Sequence, residues 1–188
     1  MSDFSPPSGH HDLGSWHQWT PQERAVLMFI QSGDEVLLIH KKRGLGKGKI
    51  NAPGGKLEEG ESFREAAIRE CQEEVGLTPL NPHKVGELRF RFMDGYSLYG
   101  EVFWAYDYRG IARETDEADP FWCPLHSIPY QSMWRDDPLW LPLVIQGFHI
   151  AGWFDFDGDT MLSGRVDFLP LKSPRPLPLD YSAQATGP

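Results

Sequence analysis

Long apolar runs are missing from this 188-residue chain, and no stretch approaches the roughly 20 consecutive apolar residues that a membrane-spanning helix needs. The N-terminal sequence MSDFSPPSGHHDLGSW has neither the basic start nor the apolar core of a secretory signal. No membrane partner and no export are therefore expected. Cysteine is scarce as well: Cys71 and Cys123 are the only two, too few for a disulfide scaffold and consistent with a reducing, cytoplasmic location. Positive charge is the third shortage, with 18 Lys and Arg against 27 Asp and Glu and a formal net charge of −9. That sign is wrong for tracking a phosphate backbone, so a polymeric nucleic acid is excluded as a partner. A small phosphorylated ligand stays open, because a multivalent cation held by some of the carboxylates would invert the local field. What is present, 40% apolar and 24% charged residues, fits one globular domain.

Residues 1–22 are rich in Pro, Gly, Ser and His without periodicity and read as a weakly ordered extension. Residues 169–188 read as a Pro-rich tail, and the working domain is 23–168. Within it, Arg24 to Gln31 and Glu35 to His40 flank Ser32-Gly33-Asp34 as a hairpin whose apolar runs sit in a covered sheet. A Gly-rich loop, RGLGKGKINAPGG, follows. Ser62 to Val75 has no Gly or Pro, many helix formers, acids in its first turn and Gly76 as its stop, which predicts a helix. Strands are expected at His83 to Phe92, Leu98 to Tyr108 and Asp119 to Pro124, and a helical stretch around Leu139 to Gln146. Trp153 to Phe156 and Met161 to Val166 frame an Asp157-Gly158 turn; a calcium-loop reading of Asp155 to Asp159 fails because its glycine comes too early and position twelve would be Val166. The pattern is strand-dominated α+β.

The predicted helix is unusual in where it keeps its acids. At about 100° per residue, Phe63, Ala66, Ala67, Glu70 and Glu74 share one face, with Glu73 at its edge. Buried carboxylates cost several kcal/mol unless cations stand among them, and a hard divalent ion such as Mg²⁺ meets that need directly; the alternative is a solvated acidic face. Arg69 and Glu61, eight residues apart, add an arginine fork that can orient one carboxylate while others bind metal. In the preceding loop Asn51-Ala52-Pro53-Gly54-Gly55-Lys56, the paired glycines let the backbone approach a ligand and offer a carbonyl to a metal.

The segment GGKLEEGESFREAAIRECQEEVGL resembles a complete Nudix box: Gly55, five residues, Glu61, seven residues, Arg69-Glu70, apolar Cys71, one residue, Glu73-Glu74, one residue, Gly76 and apolar Leu77. The resemblance implies an α/β/α sandwich with a mixed central sheet, and hydrolysis of a nucleoside diphosphate linked to another moiety. It also implies a Mg²⁺ shell, with Mn²⁺ as the alternative ion, from the Gly54 carbonyl, Glu70, Glu73 and Glu74. Arg69 would act beside these glutamates, and Gly55 and Lys56 would lie against the substrate. One glutamate accepts the proton of the attacking water, and which one it is stays open.

Outside the box, VLLIHKKRGLGKGKINAPGGKLEEGE, KVGELRFRF, ETDEADPFW, IPYQSMWRDDPLWLPL and GWFDFDGDTMLSGRV resemble, in order and spacing, the branch of that family acting on oxidised purine nucleoside triphosphates of the 8-oxo-dGTP type. That likeness makes Glu117 a further metal carboxylate, Asn51 an amide touching the base, and Lys41 a cation near the pocket, with Lys41-Lys42-Arg43 able to steer an anionic triphosphate. Phe90 and Phe92 are wall candidates. Trp134 can stack on a purine, while Asp136 and Asp137, two adjacent acids aimed at one ligand, should not both ionise, so that one donates and the other accepts. Their alternatives are core packing for the indole and a helix cap ahead of Pro138 for the acids. The branch differs at Leu45, Ile50 and Val26, where it carries two aromatics and a hydroxyl. The expected reaction releases a monophosphate and pyrophosphate from damaged nucleotide, preventing DNA damage, with the chain a monomer. Other nucleotides, such as dinucleoside polyphosphates or nucleotide sugars, or a nucleotide-sensing interaction module using SPRPLPL, are the rivals.

Overall fold

A computed structural model describes Trp16 and residues 18–170. The His10-His11 pair and the SPRPLPL motif lie outside the described residues. Ten strands and two helices follow one another: β1 (Glu23–Ser32), β2 (Glu35–Lys41), β3 (Ile50–Asn51), α1 (Phe63–Val75), β4 (Leu77–Leu80), β5 (His83–Phe92), β6 (Ser97–Ala105), β7 (Asp107–Gly110), β8 (Ala118–Pro124), α2 (Asp137–Ile145), β9 (Phe148–Asp157) and β10 (Thr160–Pro170). The main sheet runs β10-β9-β5-β6-β1-β2-β3, with β8 also paired to β2. It is mixed: β1 with β6 and β5 with β9 are parallel, the other pairs antiparallel.

Alternation along β1 explains why it lies at the centre. Val26, Met28 and Ile30 face Ala66, Ala67, Cys71 and Val75 of α1, while Phe29 faces Trp140, Leu141 and Val144 of α2. A strand buried on both faces needs a near-continuous apolar run, which AVLMFI supplies. The two helices thus cover opposite sheet faces, giving the expected α/β/α sandwich. α1 starts at a capping box, in which Ser62 Oγ accepts from the Glu65 N–H and the Glu65 carboxylate accepts from the Ser62 N–H, and it stops at left-handed Gly76 (φ 77°). No helix among the described residues is long and apolar enough to cross a membrane.

Several expectations need correction. The strand expected over Leu98 to Tyr108 breaks at Tyr106, and its second part, β7, leaves the main sheet to pair with β4, a strand not anticipated. β9 begins at Phe148 rather than Trp153, and β10 runs on to Pro170, past the expected boundary at 168. Part of the supposed loose extension is packed: Trp16 is buried with the Arg91 guanidinium 3.8 Å above its ring, and the Gln22 N–H donates to Ser97 Oγ at 3.1 Å.

Candidate active site

β1 and β2 pair only at their tip, Gln31 with Val36 and Ser32 with Glu35, and then diverge. The Gly-rich loop enters the gap and hydrogen-bonds to the free edge of β1. The Val26 N–H donates to the Gly55 carbonyl at 2.9 Å, the Met28 N–H to the Pro53 carbonyl at 2.8 Å, and the Leu57 N–H to the Arg24 carbonyl at 2.9 Å. No side chain fits here: a Cβ on Gly54 would collide with the Val26 carbonyl oxygen, and one on Gly55 with the Glu70 carboxylate. The loop is thereby pressed between β1 and the acidic face of α1.

Each acid in this region has a cation from the chain itself. Arg69 grips Glu61 with two bonds of 2.9 Å, from Nε and Nη2, and its Nη1 reaches Glu70 at 2.9 Å and the exposed Glu73 at 3.1 Å; Nη2 also donates to the Lys56 carbonyl at 3.0 Å. The Arg69 bonds hold the Glu61 carboxyl below the usual range, whereas burial pushes Glu70 up in spite of Arg69. Glu74 is only 1% exposed; one oxygen accepts from Lys41 Nζ at 2.8 Å and the other from the Gly54 N–H at 3.0 Å. Glu117 is paired with Arg43. In this arrangement no three His, Cys, Asp or Glu side chains among the described residues stand together as a metal nest. The oxygen-only donors of Glu70, Glu73, Glu74, Glu117 and the Gly54 carbonyl are nevertheless of the kind that a hard divalent cation takes.

One cavity of about 440 Å³ joins these groups to the far side of the sheet. Lys41, Gly54, Gly55, Lys56, Glu70, Glu74 and Glu117 line one end; Asn51, Phe90, Phe92, Trp134, Asp136 and Asp137 line the other. Glu73, Arg69 and Glu61 stay outside its lining, and Asn51 turns its amide oxygen to the Ala52 N–H at 2.9 Å. Trp134 stands edge-on to Phe156 and Phe92, at 5.6 and 6.4 Å between ring centres.

Asp136 and Asp137 open α2, but neither acts as a side-chain cap. Asp136 Oδ2 accepts from the Trp140 indole N–H at 2.9 Å, and Asp137 Oδ2 accepts from the Trp134 backbone N–H at 2.9 Å. Both residues are buried, and Asp136 Oδ1 has no hydrogen-bond partner among the described residues. Burial pushes both carboxyls up, Asp136 to about 6, and Asp137 well above its ordinary value with the neighbouring Asp136 adding to the effect.

Sequence reasoning missed Phe156 and Lys49. Phe156 is wholly buried on β9, and the alternation of Trp153-Phe154-Asp155-Phe156 was the signal that its ring faces inward. Lys49 Nζ lies 4.9 Å from the centre of the Trp134 ring and pairs with Asp159 at 2.8 Å, tying the Gly-rich loop to the β9–β10 turn; nothing in a run of glycines and lysines singles it out.

A mixed sheet between two helices, with a glycine pair wedged against an acid-bearing helix at the mouth of a cavity, defines a class of nucleotide hydrolases. The NUDIX domain profile matches residues 21–144, and the chain belongs to the Nudix hydrolase family. It is 40% identical over 151 residues to the oxidized purine nucleoside triphosphate hydrolase of Danio rerio, covering 79% of this chain and 96% of that protein. Against the protein of the same name from Mus musculus it is 40% identical over 140 residues, 73% and 90% of the two chains. The crystal structure of a mutator MutT protein from Bacillus halodurans superposes with a TM-score of 0.70 at 28% identity, over 77% of this chain and 97% of that one.

Proposed function

We propose that the chain hydrolyses oxidised purine nucleoside triphosphates of the 8-oxo-dGTP type to the monophosphate and pyrophosphate, in a Mg²⁺-dependent reaction that clears damaged nucleotide before it is polymerised. The observation that carries this reading is the buried Asp136–Asp137 pair, with one oxygen lacking a partner among the described residues, lining the same cavity as Glu70 and Glu74. The names of the Danio rerio and Mus musculus relatives point the same way.

At the base end, a pair that shares one proton offers one donor and one acceptor. Oxidised guanine presents an N7–H donor beside the O6 acceptor, matching that set, whereas ordinary guanine presents two acceptors. A mismatched buried polar group costs roughly 1–3 kcal/mol, which is about ten- to a hundredfold in selectivity. Trp134, held edge-on by Phe156 and Phe92, offers a ring for stacking, and Asn51, Phe90 and Phe92 bound the same space.

At the phosphate end, Glu70, Glu73, Glu74, Glu117 and the Gly54 carbonyl would hold the divalent ions. Bound there, such ions neutralise phosphate oxygens and acidify a water. Arg69 positions Glu61, Glu70 and Glu73 relative to one another, Lys41 and Lys56 add positive charge for the triphosphate, and Gly55 leaves room for the Glu70 carboxylate. One of Glu70, Glu73 and Glu74 takes the water proton.

The test is pyrophosphate release from 8-oxo-dGTP and from dGTP, side by side with Mg²⁺, for the wild type and Asp137→Asn. A preference for the oxidised base, reduced about ten- to a hundredfold in the variant, is expected. Equal turnover of both nucleotides by the wild type would refute the substrate assignment and leave the hydrolase family intact.

A further inference from the structure

Glu74 is 1% exposed, and a carboxylate so placed cannot remain charged without a cation beside it. Lys41 supplies that cation. Its Nζ donates to Glu74 Oε1 at 2.8 Å and also lies 3.5 Å from the Gly54 carbonyl oxygen. The other Glu74 oxygen is held by the Gly54 N–H at 3.0 Å, so the Gly54 backbone and one carboxylate form a small oxygen cleft with the ammonium against it. The two oxygens that Lys41 touches are two of those that would bind the divalent ion. A metal ion takes such oxygens at roughly 2.0–2.6 Å and tolerates no ammonium in the same position.

We propose that Lys41 is a resident stand-in for the metal: its ammonium neutralises the Glu74–Gly54 cleft when no divalent ion is bound and must leave that cleft for the ion to enter. The inference rests on the metal-dependent reading above. It assigns Lys41, at the end of β2, an exchange role additional to that of a cation near the triphosphate. The side chain is suited to this, because it is 15% exposed and borders the same cavity, which gives the ammonium somewhere to move. Arg69 differs: it grips Glu61 with two bonds and also holds Glu70, Glu73 and the Lys56 carbonyl, so it is fixed in place, whereas Lys41 holds a single carboxylate oxygen and a longer contact. One cation is built as a fixture and the other as a removable plug.

Calorimetric titration of the full chain with Mn²⁺, wild type against Lys41→Met, tests the exchange. The variant should bind Mn²⁺ about tenfold tighter, within the range typical of coupling between competing ligands. Its metal-free form should melt at a lower temperature, and Mn²⁺ should restore more of that temperature than it adds to the wild type. Equal or weaker Mn²⁺ binding by the variant, with normal binding by the wild type, would overturn the stand-in role and leave the proposed reaction standing. No Mn²⁺ binding by either form would overturn both. Should Lys41→Met fail to fold without metal, the wild type alone decides. Acetylation at Lys41, followed by mass spectrometry, should accelerate when Mg²⁺ is added while Lys84, paired to Glu87 and Glu101, keeps its rate. An unchanged rate at Lys41 would refute displacement.

Discussion

The two ends of the cavity use the same side-chain chemistry in opposite ways. At the helix end, Glu70, Glu74 and Glu117, and beyond the lining Glu61 and Glu73, each have a Lys or Arg partner. At the far end, Asp136 and Asp137 are buried as deeply as Glu74, but their partners are an indole N–H and a backbone N–H, with no cation. Environment therefore decides what a carboxyl does. At one end the carboxyls sit beside Lys and Arg, and at the other, sealed among aromatics without a cation, they are driven towards the protonated form.

The largest effect expected from breaking this contrast is at the helix end. Glu73→Gln combined with Glu74→Gln keeps the size of both side chains and removes their charge, so pyrophosphate release should fall about a thousandfold, within the range assigned to loss of a positioned base. Retained turnover would show that the anionic end is not where the chemistry occurs. Next comes Gly55→Ala, which changes no charge. Its Cβ runs into the Glu70 carboxylate, so turnover should drop about a hundredfold, as small displacements of reacting groups do. Thermal unfolding should also reveal a loss of about 1–3 kcal/mol from overpacking.

A smaller effect sharpens the contrast through pH. The Asp pair has folded values above those of the unfolded chain, so the folded protein holds more protons than the unfolded one between those values. Its contribution to stability is complete below about pH 4 and is lost as pH rises through about 6 for Asp136 and higher for Asp137. Glu61 runs the other way: its folded value is depressed by Arg69, so its contribution is present above its ordinary range and is lost as the solution is acidified. Melting temperature measured from pH 5 to pH 8 should therefore decline by several degrees on account of the pair, a term of order 2 kcal/mol. Asp137→Asn should flatten that decline, and an unflattened curve would show that the pair is not driven towards protonation.

What the sequence revealed tracks how local each feature is. The α1 helix was legible end to end, because Ser62, Glu65 and Gly76 carry its start and stop within the segment itself. The glycine pair could be read as a place of close approach, but not that it fills a gap between β1 and β2: those strands read as an ordinary hairpin, whereas the edge of β1 is taken up by the Pro53 and Gly55 carbonyls and the Leu57 N–H. β4 was missed because Leu-Thr-Pro-Leu carries a proline and its partner, β7, lies about thirty residues on in a segment read as part of another strand. β9 was read too short because Gly152 interrupts its apolar run. That glycine is needed where Phe154 and Leu88 crowd the backbone, a demand set by tertiary packing. The Asp136–Asp137 pair was visible as a pair, whereas its partners, Trp140 and the Trp134 backbone, depend on how the chain turns into α2.

The wedge between β1 and β2 also sets how this protein can vary in length. Residues 53–57 are in effect borrowed sheet, because three hydrogen bonds place them in register with β1. One residue added or removed there would shift every carbonyl to the opposite side and put a side chain where Gly54 now meets the Val26 carbonyl or Gly55 the Glu70 carboxylate. The neighbouring stretch between β2 and β3 returns to the sheet through its own tight turn, where the Lys41 and Lys49 backbones meet. Growth or shrinkage of that turn would reshape the cavity lining at Arg43, Gly44 and Leu45 and would carry Lys41, and with it the cation beside Glu74, to a new position.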